Sequence, residues 1–163
     1  MDHSQATLCY LIKEGRVLLI HKKRGIGAGK INGPGGKVEA GETPLQAVVR
    51  ETHEETGVTP LDPDLRGFLR FRFKGGHVSR CFVYRASEFA GQLRETDEAL
   101  PEWFTVGALP YERMWSDDQH WLPWLLGGLC FEGEVDIDGE EAGQHRLRSI
   151  KHDGFISFMR YHI

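Results

Sequence analysis

Three glutamates at helical spacing are the residues best suited to chemistry in this chain of 163 residues. Glu51, Glu54 and Glu55 are three and four residues apart, so a helix places their carboxylates on one face. Repulsion between these carboxylates destabilises that face unless a cation lies among them. Hard oxygen ligands of this kind suit Mg²⁺ or Mn²⁺, which also bind phosphate oxygens. The simpler alternative is a solvated acidic helix face.

The flanking residues predict the helix that positions these carboxylates. Thr43, Pro44 and Gln46 have the pattern of a capping box with proline at the first helical position, and Gly57 predicts the helix end. Arg50 lies four residues before Glu54, so we expect it to orient the carboxylates through an ion pair.

The spacing of the whole segment resembles the signature of the Nudix hydrolases. The matching residues are Gly36, Glu42, Arg50, Glu51, Glu54, Glu55, Gly57 and Val58. One position departs from the signature, because Thr52 stands where the family usually carries an aliphatic residue. The resemblance implies an α/β (α+β) Nudix fold, a mixed β-sheet sandwiched between helices, and the hydrolysis of nucleoside diphosphates linked to another group.

Further residues are similar to the MutT-like branch of that family, which hydrolyses oxidised purine nucleoside triphosphates such as 8-oxo-dGTP. These similar segments are 22–25, 27–29, 32–33, 35–38, 97–98, 103–104 and 114–118. The resemblance covers about residues 6–150, so we expect one domain over residues 1–163, in which residues 151–163 form a C-terminal extension of unknown role.

The resemblance also implies a metal centre that holds Mg²⁺, with Mn²⁺ as the alternative. Its implied ligands are the backbone carbonyl of Gly36 and the carboxylates of Glu51, Glu54, Glu55 and Glu98. For Glu98, a solvated loop acid is the alternative interpretation. Arg50, Glu54 and Glu55 are the implied catalytic residues, and either glutamate fits the role of general base.

A base pocket is implied as well. Asn32, Asp117 and Asp118 would recognise the purine edge, with one aspartate protonated. A helix N-cap explains the two adjacent aspartates equally well. Trp115 is the best candidate for stacking on the base. The remaining implied substrate-binding residues are Thr7, Lys22, Gly35, Lys37 and Phe71.

Two rival functions remain open. One is hydrolysis of another nucleoside diphosphate derivative, such as ADP-ribose or a dinucleoside polyphosphate, and the other is nucleotide binding without catalysis. Asn32 and Trp115 favour a purine triphosphate, and the complete set of glutamates disfavours the non-catalytic module. Because Ile26, Ile31 and Pro34 replace aromatic residues of the resembled enzymes, we expect a differently shaped pocket.

The bulk composition excludes several classes of protein. A net charge of −4 provides no basic surface for a nucleic-acid polymer, so a small-molecule nucleotide is the expected partner. Cys9, Cys81 and Cys130 are far apart, which predicts reduced thiols and a cytoplasmic protein. The pattern predicts no membrane span and does not decide between a monomer and a dimer.

Periodicity predicts the remaining elements. Strands are expected over residues 7–12 and 17–20, a hairpin around Gly75 and Gly76, a strand over 131–137 and a pairing strand over 144–150. A glycine-rich loop is expected over residues 25–36, and a second, short helix near Asp117.

Overall fold

The chain folds as a mixed β-sheet with helices on both faces. The computed structural model describes residues 3–139 and 141–162, so Ile163 and three other residues of the expected domain lie outside it. The strands are β1 (His3–Lys13), β2 (Arg16–Lys22), β3 (Ile31–Asn32), β4 (Gly35–Lys37), β5 (Val58–Leu61), β6 (Asp64–Phe73), β7 (Val78–Ala86), β8 (Glu88–Gly91), β9 (Ala99–Thr105), β10 (Cys130–Asp138) and β11 (Glu141–Ile150). The helices are α1 (Pro44–Thr56), α2 (Asp118–Leu126) and α3 (His152–His162), with a 3₁₀ turn at Tyr111–Arg113.

The large sheet combines parallel and antiparallel pairs. Its strands follow the order β11-β10-β6-β7-β1-β2-β3, while β4 pairs with β1 and β9 pairs with β2. The β1–β7 and β6–β10 pairs are parallel, and the other pairs in this sheet are antiparallel. β5 and β8 form a separate antiparallel ribbon. This arrangement confirms the predicted mixed sheet of the Nudix fold.

Alternating side chains build a hydrophobic core on each face of the sheet. On β1, Cys9 and Leu11 belong to the core beneath α1 and α3, which we call the α1 face. Tyr10 belongs to the opposite core, which contains Trp121 and Leu122 of α2 and which we call the α2 face. The layers therefore place the α1 glutamates and the α2 aspartates on elements that cover opposite faces.

The helix α1 has the predicted termini. The Gln46 amide donates to Thr43 Oγ1 at 3.2 Å, and the Thr43 amide donates to Gln46 Oε1 at 2.9 Å, which completes the capping box. At the other end Gly57 has a φ of +83° and donates to the His53 carbonyl at 2.8 Å. Both ends of the helix that carries the glutamates are thus fixed locally.

The predicted hairpin, the β10–β11 pair and the short helix near Asp117 are all confirmed. The glycine-rich loop also contains β3 and β4. Pattern reasoning did not predict β5, β8 or β9, and two of these strands contain a proline, Pro60 or Pro101, which weakens the strand signal.

The C-terminal extension forms the helix α3, which packs against the α1 face of the sheet. Phe155 and Met159 are buried on the α1 face, and Phe158 lies 6.4 Å from Phe68 between ring centroids.

The three cysteines are free and buried, in line with the prediction of unpaired thiols. Over the described ranges, none of the helices has the length and apolar character needed to cross a bilayer.

Candidate active site

Arg50 holds three carboxylates around α1. Its Nε and Nη2 donate to the two oxygens of Glu42 at 3.1 and 2.5 Å. Its Nη1 donates to Glu51 at 2.8 Å and to Glu54 at 3.3 Å, so the predicted ion pair with Glu54 forms. Nη2 also donates to the Lys37 carbonyl at 3.1 Å, which ties the helix to β4. Glu42 therefore fixes the guanidinium, and the guanidinium in turn orients the two glutamates.

Glycines allow β4 to lie directly against the glutamates. The Gly35 amide donates to Glu55 Oε1 at 2.8 Å. A Cβ on Gly36 would lie 2.4 Å from Cδ of Glu51, so any side chain at this position would displace that carboxylate. Thr7, buried on β1, donates its hydroxyl to the Gly36 carbonyl at 3.4 Å. Gly36 and Glu51, which both supply implied metal ligands, thus lie against each other in space.

Burial leaves negative charge uncompensated within this cluster. The pKa of Glu55 is raised to about 7, because burial disfavours the charged form. The Gly35 amide and Lys22 lower this pKa, while Glu51 and Glu98 raise it further. Burial also raises the pKa of Glu51, against the opposing effect of Arg50. The cluster therefore favours a proton or another cation among its oxygens.

The implied ligands are carboxylate oxygens and a backbone carbonyl oxygen, which suit a hard divalent cation such as Mg²⁺. In the described part of the chain, however, no three His, Cys, Asp or Glu side chains are already arranged to hold one. Arg50 engages Glu51 and Glu54, and Arg24 engages Glu98. A cation bound by these carboxylates would take over charge compensation from the two arginines.

Glu98 lies on the loop before β9 and is partly exposed. Arg24 donates to one of its oxygens from Nε at 2.9 Å and from Nη2 at 2.6 Å, and this pairing lowers the pKa of Glu98. Lys22 lowers the pKa of both Glu98 and Glu55, so the loop acid lies within electrostatic range of α1. Glu95, on the same loop, pairs with Lys23 at the surface.

Two buried aspartates begin α2. Trp121 Nε1 donates to Asp117 Oδ2 at 2.9 Å, whereas Asp118 Oδ2 has no hydrogen-bond partner among the described residues. Burial, reinforced by the charge of Asp117, raises the pKa of Asp118 well above its ordinary range. Asp117 occupies the N-cap position, but its side chain makes no capping hydrogen bond. The pair therefore has the position that the helix-cap interpretation predicts, but not the capping hydrogen bond.

The glycine-rich segment lies beside these aspartates. A Cβ on Gly27 would lie 3.2 Å from the ring of Trp115, and Lys30 Nζ lies 5.3 Å from the centre of that ring. The positive charge of Lys30 also acts on Asp118. On β3, Asn32 is half-buried, and its side-chain carboxamide makes no hydrogen bond within the described residues.

Two other implied substrate-binding residues differ in how far they are buried. Phe71 is half-buried and packs against the core of the α2 face. Lys37 is exposed, and the contact that it makes with the glutamate cluster comes from its backbone carbonyl.

Pattern reasoning missed Tyr10, because it lies in the middle of a predicted strand. Its ring is fully buried on the α2 face, and its hydroxyl has no partner among the described residues. A tyrosine at an inward-facing strand position is the signal that was available, because buried phenols normally find a hydrogen-bond partner.

Two grooves that are open to solvent lie along β10 and β11, away from the α1 glutamates. One of about 570 Å³ is bounded by α2, β10 and β11, where His120 and His145 stack with ring centroids 4.3 Å apart. Its charged walls are already paired, as in the Arg148–Glu132 ion pair. We therefore assign the chemistry to the carboxylate cluster on α1.

Comparison with known proteins agrees with this geometry. The NUDIX domain model matches residues 2–125. The chain belongs to the Nudix hydrolase family. It is 40% identical over 147 residues to the oxidized purine nucleoside triphosphate hydrolase of Danio rerio, across 89% of this chain and 94% of the relative. The Mus musculus protein of the same name is 38% identical across 83% of this chain and 87% of its own length.

A solved structure shows the same architecture. The mutator MutT protein of Bacillus halodurans superimposes with a TM-score of 0.80 at 29% identity, across 88% of this chain and 97% of that protein. In the present chain, the segment from β3 to β4 connects Asn32 with the two glycines, Gly35 and Gly36, that lie against the α1 glutamates.

Proposed function

We propose that this Nudix hydrolase is a divalent-metal-dependent pyrophosphohydrolase. It converts oxidised purine nucleoside triphosphates such as 8-oxo-dGTP to the monophosphate and pyrophosphate, and so removes damaged precursors from the nucleotide pool. The unpartnered, buried carboxyl oxygen of Asp118 carries the proposal, since a polar purine edge would supply its missing hydrogen bond. The names of the animal relatives support the same substrate class.

Hydrolysis of a polyphosphate requires an aligned water and compensation of the charge on the transferred group. A bound Mg²⁺, or Mn²⁺ in its place, would supply both at Glu51, Glu54, Glu55, Glu98 and the Gly36 carbonyl. Arg50 keeps Glu51 and Glu54 oriented before substrate arrives. Glu54 is the more exposed glutamate and suits proton abstraction from water, while the Gly35 amide holds Glu55 in place.

Base recognition is assigned to the other half of the site. A neutral Asp118 donates one hydrogen bond and accepts another, which suits a purine edge that presents both a carbonyl oxygen and a ring N–H. The Trp115 ring, half-buried beside Gly27, provides an aromatic surface for the base.

The substrate is a free nucleotide rather than a nucleic-acid polymer, because the net charge of −4 offers no general attraction to a phosphate backbone. We assign the protein to the cytoplasm, since its three buried thiols are unpaired.

Product identification tests this function directly. With Mg²⁺ present, 8-oxo-dGTP should give the monophosphate and pyrophosphate in equal amounts, and excess chelator should stop the reaction. Formation of the diphosphate and inorganic phosphate, or undiminished turnover in chelator, would contradict the proposal.

A further inference from the structure

The α2 face contains a second polar atom without a partner near Asp118. Tyr10 is fully buried, and its Oη has no hydrogen-bond partner among the described residues. The charge of Asp118 acts on the Tyr10 hydroxyl, so the two groups lie within electrostatic range of each other. They do not hydrogen-bond to one another, because Asp118 Oδ2 is also unpartnered.

The Tyr10 ring is held in position by its neighbours. Trp121 packs edge-on against it, with ring centroids 5.9 Å apart and an interplanar angle of 74°. The backbone of Gly33 covers the polar end, because a Cβ there would lie 2.6 Å from Cζ and 2.9 Å from Oη. The hydroxyl therefore lies beneath the residue that follows Asn32, within the segment that we assign to base recognition.

Two unpartnered polar atoms in one closed region call for a common ligand. An unmade hydrogen bond in the interior costs free energy, and native proteins rarely leave two such groups on one buried face without a functional reason. Burial raises the pKa of Tyr10 well above its ordinary value, so the hydroxyl stays protonated and can donate as well as accept.

We propose that Tyr10 is a specificity-determining residue whose hydroxyl hydrogen-bonds the polar edge of the bound purine beside Asp118. This role rests on the proposed function and extends it, because it adds a residue of β1 to the proposed base-recognition residues of β3 and α2. The purine edge, which carries donors and acceptors in one plane, satisfies the Tyr10 hydroxyl and the Asp118 carboxyl together.

The test is Tyr10→Phe, which keeps the ring and removes only the oxygen. Thr52→Val is the matched control, because the Thr52 hydroxyl is equally buried and has no nitrogen or oxygen partner among the described residues, but lies on α1 beside the Cys9 thiol. Tyr10→Phe should keep or raise the melting temperature, since it removes an unsatisfied polar group. Only Tyr10→Phe should weaken binding of 8-oxo-dGMP, by about 5- to 100-fold, and alter the ratio of kcat/KM for 8-oxo-dGTP and dGTP.

The outcomes separate this inference from the function on which it rests. If the wild type cleaves and discriminates while Tyr10→Phe has unchanged binding and an unchanged ratio, as Thr52→Val should, the role of Tyr10 is overturned alone. If the wild type neither cleaves 8-oxo-dGTP nor binds 8-oxo-dGMP, the proposed function fails and the role of Tyr10 fails with it.

Discussion

At the scale of single residues, similar carboxylates differ because their surroundings differ. Glu54 is exposed beside Arg50, while Glu55 is buried and receives the Gly35 amide. Asp117 Oδ2 accepts a hydrogen bond from Trp121, whereas Oδ2 of its neighbour Asp118 has no partner among the described residues. The residue type alone therefore does not determine whether an acid is charged, paired or available to a ligand.

The first prediction concerns the rate. Glu54→Gln keeps the side-chain volume and removes the charge, so we expect an intact fold and a loss of about 10²-fold or more in kcat. Glu95→Gln is the control, because Glu95 pairs with Lys23 at the surface. Steady-state kinetics and circular dichroism check the result, and a near-normal rate for Glu54→Gln would remove its assigned role.

The second prediction concerns pH. Because the folded pKa of Glu55 is about 7 and its ordinary value is 4.5, the folded state binds this proton more tightly than the unfolded state. The resulting stability is fully present below pH 4.5 and is lost as the pH rises through about 7. Glu55→Gln should therefore gain about 1–3 kcal/mol relative to wild type between pH 4.5 and 8 in chelator. Denaturant unfolding measures this difference, and a difference independent of pH would refute the assignment.

At the scale of elements, α1 was predictable to the residue because its signals are local. The capping box, the proline and the terminal glycine specify both ends without tertiary help. The strands β5 and β9 were not predictable, since their prolines are tolerated only because of the sheet positions that they occupy. The contact between β4 and α1 is likewise tertiary, and no periodicity indicates it.

That contact gives a third prediction. Gly36→Ala should displace the Glu51 carboxylate, because the new Cβ would lie 2.4 Å from Cδ. The carboxylate ends a flexible side chain, so we expect a stability cost of about 1 kcal/mol with a loss of roughly 10-fold or more in kcat/KM. Gly107→Ala is the control, since a Cβ there meets nothing within 4 Å. Equal activity of the two variants would argue against the need for a close approach.

At the scale of the whole molecule, the two faces of the sheet have different coverings. The helix α2 and its two buried aspartates cover one face, and α1 and α3 share the other. The sequence left the role of residues 151–163 open, because no pattern in it indicates which face of the sheet they cover. We propose that residues 1–163 form one domain in which α3 completes the core of the α1 face.

The fourth prediction tests this role of α3. Phe155→Ala should destabilise the protein by about 3–5 kcal/mol, because the side chain is only 1% exposed. Ile156→Ala, at a position that is 42% exposed, should cost much less. Thermal unfolding compares the two variants, and equal melting temperatures would show that α3 does not contribute to the core.

The central claim is that a closed pocket around Asp118 selects oxidised purine triphosphates for hydrolysis at α1. The most direct test measures kcat/KM for 8-oxo-dGTP, dGTP and ADP-ribose with the wild type and with Asp118→Asn. We expect the wild type to prefer 8-oxo-dGTP and the variant to lose discrimination among purines, by about 1–3 kcal/mol, with an unchanged metal requirement. An equal loss on every substrate, or a wild-type preference for ADP-ribose, would contradict this claim.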